Sequence, residues 1–140
     1  MNIRSLNKNF DELRCFLSNN IEYSVVCLTE TWLTKSMDPK LFDMENYVFV
    51  PKYNESKHQC LGIYINESLK FEVMDVKTDI NVLLIKCTAP DGGIFYIGCL
   101  YNSPSGSKVD FIHCLDCFLE EFHSINDKLY LVGDTSTLTF

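Results

Sequence analysis

Val25-Val26-Cys27-Leu28 is an unbroken apolar run that leads straight into Thr29-Glu30, with Trp32 two residues further on. A strand without polar alternation is buried on both faces, as in a sheet covered by helices. A carboxylate at the end of such a strand is costly to desolvate unless something there requires it. In open α/β sheets that end of a strand is where ligands and metals bind. The run therefore predicts a layered α/β fold and marks Glu30 as a candidate site residue.

The rest of the chain supplies elements of the same kind. Residues 8–20 read as a helix, with Phe10, Leu13, Phe16 and Leu17 on one face and Asn7 or Asn9 as its cap. Ile21 to Leu28 reads as the first strand. Lys35 to Phe42 reads as a loop with a helical turn, and Tyr47 to Val50 as a strand stopped by Pro51. Residues 51–59 read as polar loop carrying Lys52, Lys57 and His58. Leu61 to Ile65 and Phe71 to Val76 are expected to form a hairpin. Asn81 to Thr88 and Ile94 to Tyr101 flank the turn signal Pro90-Asp91-Gly92-Gly93. Ser107 to Phe122 reads as a second helix capped by Ser107, burying Phe111, Leu115, Phe118, Leu119 and Phe122. Lys128 to Val132 is the last strand and ends at Gly133-Asp134. This order predicts α/β with a mixed sheet, and two helices are few for sheets so apolar.

Length and charge limit the function classes. A chain of 140 residues is expected to form one domain, and 46% hydrophobic with 22% charged residues is the balance of a globular core. A net charge of −7 argues against a broad basic nucleic-acid surface. It leaves open an enzyme that holds phosphate through a cation. The N-terminus lacks the apolar stretch of a signal peptide. The longest apolar run, Ile94 to Tyr101, falls short of the ~18 residues of a membrane span. An intracellular protein of the nucleus or cytoplasm, without a membrane partner, is expected, and the sequons at Asn54 and Asn66 then carry no meaning. Seven cysteines cannot all be paired within the chain. Cys27, Cys87 and Cys99 read as small core residues. Cys114-x-x-Cys117 beside His113 lies on a helical pattern, with no second pair at zinc-site spacing.

Four polar residues stand at element ends. Glu30 and Asp134 each follow an apolar strand, Tyr101 ends another, and Asn2 precedes the first helix. Each has an ordinary reading: an Asp after a strand and a Gly is commonly a turn residue, a strand-end Tyr is commonly half core, and an Asn near the start commonly enters a helix. If the strand ends converge, they make a pocket of two carboxylates, a phenol and an amide. Mg²⁺ prefers carboxylate oxygens and keeps several waters. A carboxylate can also orient an attacking water, while Tyr and Asn donate to charge building on phosphate oxygens.

Asn2-Ile3-Arg4-Ser5-Leu6, Leu28-Thr29-Glu30-Thr31-Trp32-Leu33, Leu100-Tyr101-Asn102-Ser103-Pro104 and Leu131-Val132-Gly133-Asp134 occur in the order and approximate spacing of the endonuclease/exonuclease/phosphatase superfamily. More narrowly, nearly the whole chain resembles roughly the first two thirds of the apurinic-type endonuclease domain of non-LTR (LINE-like) retrotransposons. The resemblance implies an αββα sandwich of two sheets and a Mg²⁺- (or Mn²⁺-) dependent phosphodiesterase that nicks DNA. It assigns Glu30 to the metal, Asn2 to a position near it, Tyr101 to the scissile phosphate and Asp134 to the nucleophilic water.

The departures from that pattern are specific. No strand precedes Asn2. Asn102 stands where the family carries a basic residue, Ser136 where it carries a second site Asn, and Gln59-Cys60-Leu61-Gly62 where it is glycine-rich. The Ser-Asp-His motif of the family's C-terminal part does not occur, and His58, His113 and His123 lie elsewhere. Loss of an acid/base group costs ~10²–10⁴-fold, and members of one catalytic unit are not additive. The expectation is a partial domain over residues 1–140 with its second sheet largely missing and its catalysis impaired. The alternative is a non-enzymatic interaction module that self-associates through an exposed sheet.

Overall fold

The structure is a computed structural model that describes residues 1–20, 22–123 and 127–134. Helix α1 (Leu6–Asn19) is followed by strands β1 (Val25–Thr29), β2 (Tyr47–Lys52), β3 (Leu61–Asn66), β4 (Lys70–Met74), β5 (Asn81–Thr88) and β6 (Ile94–Tyr101). Helix α2 (Lys108–His123) and β7 (Lys128–Asp134) complete it. Two short 3-10 turns, Pro39–Phe42 and Lys57–Gln59, flank β2.

The strands form two sheets, ordered β1-β3-β2 and β4-β5-β6-β7. All neighbours are antiparallel except β6 and β7, which α2 connects in parallel. Strand alternation divides the apolar residues into three layers. Leu28 and Tyr64 pack with Leu6, Leu13 and Leu17 of α1. Leu61, Ile63, Ile65, Leu83, Ile85, Cys87, Ile97 and Cys99 fill the space between the sheets. Val82, Leu84, Tyr96 and Leu100 meet Phe111 and Phe118 of α2. The result is an αββα sandwich. Among the described residues both sheets are present, with three and four strands, where the sequence suggested that one would be largely missing.

Several local readings change, each for a physical reason. Leu61–Asn66 and Lys70–Met74 are not a hairpin: β3 is the central strand of one sheet and β4 an edge of the other. The short link between them crosses the sandwich, which a run of apolar residues cannot reveal. Pro51 does not end β2 but lies within it, opposite Gly62. β2 is an edge strand, where a missing N–H costs no ladder bond. Ser5, not Asn7 or Asn9, caps α1 by accepting from the Lys8 N–H. Asn9 instead donates to the Ile3 carbonyl at 2.8 Å. Phe16 and Leu119, expected inside, are exposed. Cys114 is half-buried against the α2 layer and Cys117 is exposed.

Candidate active site

The site lies at the ends of β1, β6 and β7, beside the segment that enters α1. Met1 to Ile3 run parallel to β1: the Thr29 N–H donates to the Met1 carbonyl at 2.9 Å, and the Ile3 N–H to the Thr29 carbonyl at 3.0 Å. The ladder continues past the strand, with Ser5 N–H on the Glu30 carbonyl at 2.9 Å and Leu6 N–H on the Thr31 carbonyl at 2.8 Å. Asn2 and Glu30 are thereby held side by side. The backbone here is unusual. Arg4, Ser5, Glu30 and Trp32 have φ of 43°, 83°, 54° and 55°. Left-handed conformations cost a non-glycine residue ~1–2 kcal/mol each, and such residues cluster where a side chain must be aimed away from the regular strand direction.

Tyr101 and Asp134 arrive by register. β6 and β7 pair Ile97 with Tyr130, Cys99 with Val132 and Tyr101 with Asp134, so the last pair faces the interior between the sheets. The Asn102 N–H closes the ladder on the Asp134 carbonyl at 3.1 Å, and Asn102 is buried. Gly133 explains its own place before the acid. A Cβ there would collide with the backbone of Leu100, so only glycine lets β7 lie this close to β6.

The four candidate residues meet. Asn2 Nδ2 donates to Glu30 Oε1 and to Asp134 Oδ2, at 2.9 Å each. The Tyr101 hydroxyl donates to the same Glu30 oxygen at 3.1 Å. Burial pushes the Tyr101 phenol up, and the Glu30 charge, the hydrogen bond to Glu30 and the Asp134 charge add to the shift. Tyr101 is therefore a neutral donor at physiological pH. Glu30 and Asp134 are half-buried, and Asn2 is exposed, so the cluster opens to solvent on one side. Among the described residues no group of three His, Cys, Asp or Glu side chains is gathered as for a metal. Two carboxylates sharing one amide donor nevertheless suit Mg²⁺, which takes one or two carboxylates and completes its shell with water and phosphate.

Three neighbours were not singled out as a group by the sequence. Trp32 packs its ring edge-on to His58 at 4.7 Å between centroids, and Lys57 Nζ stands 5.7 Å from the Trp32 ring. The Thr31 N–H donates to the Cys60 carbonyl at 3.1 Å, and Asn81 Nδ2 to the Gln59 carbonyl at 2.6 Å. These bonds tie the Lys57–Gln59 turn to the end of β1 and the start of β5. The signal available in the sequence was the basic pair Lys57-His58 in an otherwise polar loop. His113 is on α2, exposed, and the side chain of His123 and all of Ser136 lie outside the described residues.

These elements define the fold of the endonuclease/exonuclease/phosphatase proteins. Among solved structures, the chain is similar to the human Nocturnin catalytic domain with bound sulfate anion, at a TM-score of 0.62 and 13% identity over 96% of this chain and 61% of that one. It is also similar to D. rerio TDP2 complexed with single strand DNA product, at a TM-score of 0.63 and 18% identity over 99% of this chain and 59% of that one. The chain thus spans about three fifths of the length of each. By sequence, no protein-family model and no curated protein matches it. Among the described residues no helix is long and apolar enough to cross a membrane.

Proposed function

We propose that Asn2, Glu30, Tyr101 and Asp134 are the centre of a divalent-metal-dependent phosphodiesterase site for DNA. We assign residues 1–140 to part of an apurinic-type endonuclease domain of the non-LTR retrotransposon kind. The observation that carries this reading is the shared Asn2 amide, which holds the Glu30 and Asp134 carboxylates, with the Tyr101 phenol donating to the same Glu30 oxygen. The complex of TDP2 with single strand DNA product supports the substrate class.

Each residue has a distinct task. Glu30 supplies the main metal oxygen. A bound Mg²⁺ or Mn²⁺ would polarise the phosphoryl oxygen. Asn2 fixes the two carboxylates, giving one amide N–H to each. Tyr101, held neutral by its surroundings, donates to a non-bridging phosphate oxygen. Asp134 orients the attacking water.

Turnover by this chain is expected to be weak. His58 is engaged with Trp32, and His113 stands on α2, so neither sits on the strands that carry the cluster. With no histidine among the described residues on those strands, a rate lower by ~10²–10⁴-fold than that of a site holding such an acid/base group is expected. Calorimetry with Mg²⁺ and Mn²⁺, paired with a plasmid-nicking assay, tests both parts. Metal binding that Glu30→Ala abolishes, with slow nicking lost in the same variant, is the expected result. No binding up to millimolar metal removes the metal-site reading, and rapid nicking removes the claim of impairment.

A further inference from the structure

β1 and β2 both run antiparallel to β3, so the segments that leave them rise from the same end of the sheet as Glu30. The two strands flank β3, which sets those segments about 10 Å apart. Between them lies a cavity of about 520 Å³, walled by Leu33 and Lys35 after β1 and by Tyr53, Asn54 and Lys57 after β2. The thiol of buried Cys60, just before β3, ties the two walls together. It donates to the Leu33 carbonyl at 3.4 Å and accepts from the Asn54 N–H at 3.3 Å.

The lining chemistry is selective. In a chain of net charge −7, the cavity has two cations, Lys35 and Lys57, against one anion, Glu55. Both lysines are exposed, and among the described residues neither has an ion-pair partner. Lys57 has its own support: its Nζ stands 5.7 Å over the ring of Trp32, a residue turned out of the strand direction by its left-handed φ of 55°. Tyr53 is half-buried and adds an aromatic ring. Ammonium groups for phosphate and a ring for a base are the parts of a site for a single nucleic-acid strand. The volume is that of a small-ligand pocket. A base enters such a cavity only after leaving the duplex stack, so the occupant is single-stranded.

We propose that this cavity holds one nucleotide of a single DNA strand beside the carboxylate cluster, with its flanking phosphates on Lys35 and Lys57 and its base against Tyr53. Leu33 follows Glu30 by three residues, a backbone reach of at most ~11 Å, so one strand can occupy the cavity and the cluster together. The proposal takes its substrate class from the DNA phosphodiesterase reading and adds a grip that needs no metal.

Fluorescence anisotropy of a labelled oligothymidylate with the whole chain, in the presence of a chelator, tests the grip without metal or cleavage. The wild type is expected to bind, with an affinity that falls as salt rises. Lys35→Ala combined with Lys57→Ala should lower the slope of log affinity against log salt by ~1.4, at ~0.7 for each lost phosphate contact. Tyr53→Leu, which keeps apolar bulk, should weaken binding at least ~5-fold at every salt concentration and leave the slope unchanged. Lys70→Ala, at the end of β4 that pairs with the far end of β5, should change neither. No binding by the wild type, a slope indifferent to the two lysines, or an equal change from Lys70→Ala overturns the proposal. Failure of Mg²⁺ binding in calorimetry bears on the metal site alone, since this assay contains no free metal.

Discussion

One amide nitrogen, Asn2 Nδ2, donates to the carboxylates of Glu30 and Asp134 at 2.9 Å each. It is a shared donor between two groups that would otherwise repel each other. Replacing Asn2 by Asp would remove the donor and place a third carboxylate in the same position. Without metal, Asn2→Asp should lower stability by ~1–2 kcal/mol through like-charge repulsion. Millimolar Mn²⁺ should restore it, because a ligand that binds only the folded state stabilises by mass action. Thermal melts with and without Mn²⁺ check this. A variant that melts like the wild type and ignores Mn²⁺ would remove the cluster from the metal-binding argument.

Gly133 should be among the least replaceable residues. A Cβ at that position meets the Leu100 backbone, not a flexible side chain, so the strands themselves must part. Gly133→Ala should cost ~1–3 kcal/mol, the range of overpacking in a well-filled core. It should also displace Asp134 and weaken metal binding. A urea midpoint equal to that of the wild type would show that β6 and β7 separate without strain.

Stability should fall at alkaline pH through Tyr64. This ring is fully buried and its hydroxyl donates to the Phe42 carbonyl at 2.8 Å. Burial, and then the Asp43 charge, push its phenol well above the ordinary tyrosine value of about 10. A group raised on folding contributes stability that is complete below its unfolded pKa and is lost as pH climbs towards the folded one. The loss therefore begins above pH ~10, with a slope of up to ~1.4 kcal/mol per pH unit. Tyr64→Phe should flatten that slope, while costing ~1–3 kcal/mol at pH 8 by leaving the Phe42 carbonyl without its donor. Tyr47, whose phenol burial also raises, keeps a smaller slope in the variant. Urea midpoints from pH 8 to 11 measure both effects.

Much of this was legible in the chain because apolar alternation and turn chemistry are local. β5 and β6 fall where Asn81–Thr88 and Ile94–Tyr101 placed them, around the turn at Ala89–Gly93. Glu30, Tyr101, Asp134 and Asn2 were each marked by their position at an element end, and their side chains meet. What the sequence did not carry is pairing across distance. Nothing in Leu61–Asn66 says that its partners are β1 and β2 and not the next strand along. The Ser5 cap was hidden by two asparagines of equal local merit nearby. The Trp32–His58 contact was hidden because an aromatic packing on a loop leaves no periodic trace.

The Asn2–Asp134 hydrogen bond spans 132 residues of a 140-residue chain, and the Tyr101–Glu30 bond spans 71. Contacts that distant form only after the intervening loops have closed, so they come late in folding. The site is in that sense a completion signal. A chain still under synthesis, or one with β7 undocked, has its strands and much of its core but no paired carboxylates. Metal affinity would then report on whether β7 has reached its place, a readout that helix content and core fluorescence do not give.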